Sequence, residues 1–188
     1  MTEVKRLFDF PYYQLENYPQ EAALVSKVNG TWVKTSTQQY IDQANAISRG
    51  LIKLGVKAND KVAIISMTNR TQWNICDIGI LQTGAQDVPI YPTISEQDYE
   101  YVLNHSESKY VFVSCKEVLD KINKIKANVP SLLGVYSFED IDGCDSWQEV
   151  ITLGNDNQDL QQEVQNRMDA VHEDDLATLI YTSGTTGR

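Results

Sequence analysis

Short apolar runs alternate with amphipathic stretches along most of the chain. The runs KVAIISM, DVPIY, KYVFVS, LLGVYSF and ATLIY predict strands over residues 61–67, 87–91, 109–114, 132–138 and 177–181. Such runs are typical of strands that are buried on both faces of a parallel sheet. Between them, apolar residues at helical spacing predict helices over residues 69–84, 95–105, 116–127 and 158–168. The alternation predicts a layered α/β fold in which helices flank a mostly parallel sheet.

The first part of the chain has a different pattern, typical of a hairpin. The runs ALVSKV and TWVKT are separated by Asn29 and Gly30. This pair favours a type I′ turn, whose two central residues have positive φ, so we expect two antiparallel strands. A helix should follow, with Ser36 or Thr37 as its cap and Gly55 at its end.

The stretch over residues 140–160 is polar and lacks a clear period. We predict an irregular excursion there, with at most a helical turn around Trp147. It would lie on the surface or pass between two sheets. In contrast, Ser95 and Asp98 have the spacing of a capping box and predict a well-defined helix start.

Composition limits the class of protein and of ligand. The chain has 188 residues, of which 41% are hydrophobic and 22% charged, so it is long enough for one large domain or one and part of a second. Its net charge of −10 argues against nucleic acid as a partner, because phosphate-backbone binding needs clustered Lys and Arg. An anionic ligand would have to be held locally, by backbone N–H groups or a few donors.

Cysteine and histidine positions indicate neither a disulfide framework nor a metal site. Cys76, Cys115 and Cys144 are odd in number and far apart, which favours a reducing cytoplasm. His105 and His172 are not at zinc-ligand spacing from a cysteine. The N-terminus lacks the apolar core of a signal peptide, and no stretch approaches the roughly 20 apolar residues of a membrane span. We expect a soluble cytoplasmic protein, and association with a membrane surface stays open.

The strand predicted over residues 177–181 leads into a run of hydroxyl and glycine residues. They are Thr182, Ser183, Gly184, Thr185, Thr186 and Gly187. The carboxyl end of a strand is where α/β folds bind ligands. Hydroxyls and successive backbone N–H groups in a glycine-containing loop can enclose an anion. The run is not a Walker A loop, because only two residues separate its glycines and no lysine follows. The alternative is a flexible Ser/Thr/Gly linker.

The string YTSGTTG resembles the phosphate-binding signature of the adenylate-forming, or acyl-activating, superfamily. Residues 32–66, 69–95, 101–113 and 146–154 also resemble members of this superfamily. Within residues 69–95, VPIYPT is similar to the corresponding segment of long-chain fatty acid ligases.

The resemblance implies an AMP-forming long-chain fatty acid–CoA ligase. Its substrates would be a fatty acid, ATP with Mg2+, and coenzyme A, and residues 182–187 would bind the β- and γ-phosphates. It assigns no catalytic residue and no metal ligand within these 188 residues. A medium-chain or aryl acid ligase, a ligase for acyl carrier protein, and a non-catalytic α/β binding module remain as alternatives.

The sequence departs from the superfamily pattern at its last residue. The signature normally continues into Pro-Lys-Gly, whereas Arg188 stands here. By resemblance, the adenine-binding segments and the small domain with the catalytic lysine would follow. We therefore expect residues 1–188 to be the N-terminal part of a larger adenylating enzyme, inactive alone and prone to self-association through an apolar edge.

Two other groups of residues have competing interpretations. Trp73 and Tyr91 either line an acyl tunnel or belong to the core, and burial statistics favour the core. His105, Ser106 and Glu107 contain the residue types of a catalytic triad, but adjacent residues rarely converge on one reacting atom.

Overall fold

The computed structural model describes residues 3–28 and 30–182 of the chain. The strands are β1 (Leu24–Val28), β2 (Thr31–Thr35), β3 (Lys61–Ile65), β4 (Gln86–Ile90), β5 (Tyr110–Val113), β6 (Gly134–Ser137) and β7 (Asp145–Ser146). The helices are α1 (Asp9–Asn17), α2 (Thr37–Lys53), α3 (Thr71–Gln82), α4 (Glu96–Ser106), α5 (Lys116–Ile125), α6 (Trp147–Asp156) and α7 (Gln161–Ala170). Short 3-10 turns follow α5 and precede α7.

The hairpin prediction is confirmed. Strands β1 and β2 pair antiparallel, and the register places Val28 opposite Thr31. Two residues therefore make the turn, and Gly30 has a φ of 82°, as a type I′ turn requires. Asn29 itself lies outside the described residues.

Five strands form the main sheet, in the order β4-β3-β5-β6-β7. Every neighbouring pair is parallel, which confirms the predicted α/β class. The strands alternate in the face to which their side chains point. In β3, for example, Val62 and Ile64 contribute to one core cluster, whereas Ala63 and Ile65 contribute to the other.

The two core clusters lie on opposite faces of this sheet. One contains buried residues of α2, α3 and α6, such as Leu51, Ile80 and Val150. The other contains buried residues of α4 and α5, such as Leu103 and Ile122. The sheet is thus covered on both sides, which explains why its strands are continuous apolar runs. A third, smaller cluster joins α1, α2, α3 and α7.

The prediction of an irregular stretch over residues 140–160 is wrong. The segment contains β7 and α6, and α6 begins with a capping box in which Ser146 accepts from the backbone and Glu149 bonds back to Ser146. This helix buries three side chains in the core, those of Trp147, Val150 and Ile151. The stretch is polar overall because only one face of α6 is buried.

The strand predicted over residues 177–181 is reduced in the structure to one parallel bridge, between Asp87 and Thr178. Ala177 and Leu179 make the bonds of that bridge, and Ile180 is 63% exposed. The apolar run predicted a strand buried on both faces. Only alternate residues pack against the core: Leu179 and Tyr181 against one cluster and Ala177 against the third.

Helices α2 and α6 pack closely because glycines stand at their contact. A Cβ added at Gly154 would lie 1.8 Å from the Ala46 carbonyl oxygen, and one added at Gly50 would lie 2.2 Å from the Val150 carbonyl oxygen. Arg49 fixes the same contact by donating from Nε to the Gly154 carbonyl at 2.8 Å. The two helices therefore approach backbone to backbone.

We expect Gly154→Ala to lower the free energy of unfolding by about 2–4 kcal/mol, because backbone atoms rather than a side-chain end must move. Urea unfolding followed by circular dichroism measures the change. Thr152→Ala, on the exposed side of the same helix, is the matched control and should shift it by no more than about 0.5 kcal/mol. Equal stability of the two variants would contradict the close contact.

Candidate functional site

The carboxyl ends of all five strands meet at one edge of the sheet, because every pair is parallel. This is the edge at which α/β sheets bind ligands. Residues 66–70, 91–95 and 114–115 leave β3, β4 and β5 there. We call this edge the carboxyl edge.

Arg70 connects the segments that follow three strands at the carboxyl edge. Its guanidinium donates from Nη1 to the Ser114 carbonyl at 3.1 Å and forms a salt bridge with Glu139 at 3.1 Å. Ser114 in turn accepts from the Met67 backbone N–H at 3.0 Å through its hydroxyl. The residues that follow β3, β5 and β6 are thereby joined. Sequence reasoning missed Arg70, although a basic residue between a buried strand and a helix start could have drawn attention to it.

The segment after β4 contains the second half of the VPIYPT motif, and side chains of α4 and α5 hold it in place. The Pro92 carbonyl accepts from the Tyr99 hydroxyl at 2.8 Å and from the Lys121 ammonium at 3.3 Å. Tyr91 is 67% exposed, so the core interpretation is wrong for this residue. Trp73 does pack against a core cluster, as that interpretation predicts.

Residues 177–182 run beside β4 and approach the carboxyl edge. The Asp87 N–H donates to the Ala177 carbonyl at 3.2 Å, and the Leu179 N–H donates to the Asp87 carbonyl at 3.0 Å. The segment is thus parallel to β4 and proceeds toward the edge where β4 ends. Thr182, the first residue of the predicted phosphate loop, is exposed. Ser183, Gly184, Thr185, Thr186 and Gly187 lie outside the described residues.

A second contact holds the same segment near its end. The Tyr181 hydroxyl and His105 Nδ1 are 2.8 Å apart, and the two rings meet edge to face. His105 is on the last turn of α4. The hydroxyl of Ser106 bonds instead to Ser108, so His105 and Ser106 do not form a triad. His105 positions the residue that precedes Thr182.

Asp87, whose backbone forms the bridge to Thr178, is also one of two neighbouring acids. Asp77 projects from α3 toward Asp87, and Asp87 is 2% exposed. Burial, together with the neighbouring Asp87 carboxylate, raises the pKa of Asp77 to about 8. Burial also raises the pKa of Asp87. In the described part of the chain, neither acid forms a salt bridge with a basic residue.

The pair therefore retains a proton near neutral pH, since two adjacent buried carboxylates cannot both ionise cheaply. It lies against Thr178, whose buried hydroxyl interacts with the Asp87 carboxyl. Sequence reasoning missed both acids. The available signal was a carboxylate inside each of two apolar runs, CDIGI and DVPIY.

A model of one protein family matches residues 12–188, and its description is AMP-binding enzyme. This match covers nearly the whole chain. The chain belongs to the AMP-binding enzyme family. The resemblance of the chain to the adenylate-forming superfamily is confirmed at the level of the family.

Curated relatives of this AMP-binding chain include long-chain-fatty-acid–CoA ligases. One from Xenopus laevis is 31% identical over 179 residues, which are 93% of this chain and 24% of the relative. One from Mycobacterium bovis is 35% identical over 161 residues, which are 86% of this chain and 26% of the relative. The chain thus spans about a quarter of the length of the curated relatives it matches.

Solved structures show the same fold. A red-emitting luciferase from Phrixothrix hirtus matches with a TM-score of 0.72 at 19% identity, covering 96% of this chain and 33% of the luciferase. An anthranilate–CoA ligase, solved in complex with anthranoyl-AMP, matches with a TM-score of 0.67 at 20% identity, covering 96% of this chain and 32% of the ligase. Of the helices described in the AMP-binding chain, none is both long and apolar enough to cross a membrane.

The acid pair predicts how the stability of this AMP-binding chain depends on pH. The folded-state pKa of Asp77, about 8, is above the ordinary value of 3.8, so the folded chain binds this proton more tightly than the unfolded chain does. The stabilisation is complete below pH 3.8 and is lost as pH rises toward 8. We expect Asp77→Asn to flatten this slope and to raise the free energy of unfolding at pH 8 by about 1–2 kcal/mol.

Urea unfolding at several pH values measures the effect. Asp142→Asn is the matched control, because Asp142 is exposed and the same change there should leave the slope as in the wild type. An Asp77→Asn variant that keeps the wild-type slope would show that Asp77 does not hold the proton.

Proposed function

We propose that the whole protein is an AMP-forming long-chain fatty acid–CoA ligase and that this chain is the N-terminal part of its adenylating domain. The observation that carries the proposal is the path of residues 177–182, which run parallel to β4 toward the carboxyl edge and end at an exposed Thr182. The curated relatives, named long-chain-fatty-acid–CoA ligases at 31–35% identity, support the substrate class.

In the proposed reaction, a fatty acid carboxylate oxygen attacks the α-phosphorus of ATP. Pyrophosphate leaves, and an acyl-adenylate forms. The thiolate of coenzyme A then attacks the acyl carbon, so that a thioester forms and AMP leaves. The contribution of this chain is to bind and orient the phosphates, and orientation with charge stabilisation supplies much of the catalysis in such reactions.

Residues 182–187 would hold the β- and γ-phosphates. Their hydroxyls and backbone N–H groups are neutral donors, which suits a protein of net charge −10. Donors act best when they are held in place before the ligand arrives. The Asp87 bridge and the His105 contact with Tyr181 provide that restraint on the segment that precedes the loop.

We assign no ligand of magnesium or coenzyme A to the described residues. Within residues 3–28 and 30–182, no group of three or more His, Cys, Asp and Glu side chains could hold a metal ion. Mg2+, when bound with ATP, would neutralise phosphate charge. We assign its carboxylate ligands, the adenine pocket and the catalytic lysine to other parts of the whole protein.

The test of the function is AMP release by the full-length protein with acids of different chain length. We expect the highest kcat/KM for long-chain fatty acids and coenzyme A. A preference for medium-chain or aryl acids, or for acyl carrier protein, would replace the proposal by one of these related ligases. No AMP release with any acid would favour a non-catalytic module.

The loop has a separate test in the full-length protein. We expect Thr185→Val with Thr186→Val to reduce kcat/KM for ATP at least tenfold, since each hydrogen bond to a charged group contributes about 1.5–3 kcal/mol. Thr185→Ser with Thr186→Ser keeps both hydroxyls and should retain most of the activity. ATP kinetics that are equal in the two double variants would exclude phosphate contact by these side chains.

We also expect the 188-residue polypeptide alone to release no AMP from ATP and fatty acid. A loop that binds only the phosphate end of the nucleotide lacks contacts to the base, the ribose and the reacting carboxylate. Pyrophosphate exchange and calorimetric titration with ATP measure this. Exchange above the buffer blank would show that these residues already contain a working site.

A further inference from the structure

The hairpin of β1 and β2 presents one face away from the rest of the chain. Its other face contacts α3, where the Ser26 hydroxyl lies 2.7 Å from the Thr71 hydroxyl. Because side chains alternate along a strand, the residues on either side of Ser26 point outward. The register pairs Val25 with Lys34 and Lys27 with Trp32. We call these four residues the outward face.

The outward face exposes an apolar side chain on each of its two strands. Trp32 is 66% exposed and Val25 is 46% exposed. The other two tryptophans of the chain behave differently, since Trp147 is 5% exposed and Trp73 packs against a core cluster. Lys27 Nζ lies 5.8 Å from the centre of the Trp32 ring, so ammonium and indole form one continuous surface.

The charge of the outward face is opposite to that of the chain. Residues 22–41 contain two lysines and neither Asp nor Glu, whereas the chain carries a net charge of −10. A surface that combines Lys, Trp and Val matches the boundary of an anionic bilayer. Indole rings favour that boundary, lysine stems extend along it, and lysine ammonium groups attract anionic headgroups.

The same charges decide between occupants. A second copy docked through the same face would place its own two lysines against Lys27 and Lys34, and like charges oppose that pairing. Nucleic acid would need a larger cluster of Lys and Arg than two lysines. An anionic lipid surface satisfies both the lysines and the exposed apolar side chains.

We propose that the outward face of the hairpin is a docking surface for anionic lipid bilayers. Docking orients the chain with β1 and β2 on the bilayer surface. The biological benefit rests on the proposed function, because a long-chain fatty acid partitions into bilayers and a docked ligase would meet its substrate there. Lipid binding itself does not depend on that function.

Trp32 provides a direct readout in the 188-residue chain. We expect vesicles of phosphatidylcholine with phosphatidylglycerol to shift tryptophan emission to shorter wavelength, and vesicles of phosphatidylcholine alone to have a smaller effect. Brominated lipids in the same vesicles should quench this emission. Trp32→Phe should remove most of the shift, because Trp73 and Trp147 are shielded from lipid by the fold.

Co-sedimentation with the same vesicles measures affinity without relying on tryptophan. Lys27→Gln with Lys34→Gln should weaken binding to anionic vesicles by about fivefold per lysine. Lys53→Gln with Lys57→Gln makes the same charge change at the far end of α2, about 25 Å along that 17-residue helix, and should leave binding nearly unchanged. All four lysines are exposed, so circular dichroism should show wild-type folding for both variants.

Three results would overturn the proposal. Equal binding by the two double variants would place lipid contact elsewhere, and no binding to either vesicle would exclude docking. A change of oligomeric state in Trp32→Ser, measured by sedimentation velocity without lipid, would instead make the face an interface between copies. If the full-length protein has no ligase activity, the proposed function is refuted and the vesicle result is unaffected.

Discussion

Parallel pairing of β3 with both β4 and β5 is the constraint on which the rest of the structure depends. Parallel neighbours cannot be joined by tight turns, so each connection must cross a face of the sheet and return. The crossings supply α3, α4 and α5 and bury both faces. The same constraint brings the carboxyl ends of the strands to one edge, and therefore brings Arg70, Pro92 and Ser114 into one neighbourhood.

Polar side chains then form hydrogen bonds to backbone carbonyls that the helices and the sheet leave without a partner. Arg49 donates to the Gly154 carbonyl, and Arg167 donates to the Val56 carbonyl at 2.8 Å. These guanidinium groups satisfy backbone oxygens near helix ends that would otherwise lack partners. At the carboxyl edge, Arg70 likewise donates to a backbone carbonyl, that of Ser114. Hence several of the arginines in this acidic chain bind backbone carbonyls.

Much of the fold could be predicted from the sequence because strand and helix periods are local properties. The hairpin followed from two residues, Asn29 and Gly30, and the start of α4 followed from the capping box at Ser95. Helix α6 was missed because its buried face emerges only against α2, where Gly50 and Gly154 admit close approach. The Ser146 and Glu149 capping box was a local signal of the same kind and would have predicted it.

The candidate site was harder to predict because its supports are distant in sequence. The signature predicted the loop, but no local pattern could pair Asp87 with Thr178 or His105 with Tyr181. Asp77 and Asp87 stand in different elements, and only the packing of α3 on β4 brings them together. Burial statistics favour the core for Tyr91 as part of the predicted strand 87–91, yet β4 ends at Ile90 and the Tyr91 side chain is exposed.

The Asp87 bridge has a consequence for the order of folding. Strands β3, β4, β5 and β6 pair with partners that are near in the chain, so the sheet can assemble as each crossover is completed. Residues 177–179 must instead return from beyond α7 to the edge of β4, which closes a long loop for two backbone hydrogen bonds and a small amount of apolar packing. We therefore expect this segment to join the sheet last and to leave it first when the protein opens locally. The part of the chain that leads to the signature would then be able to detach while the rest of the fold remains intact.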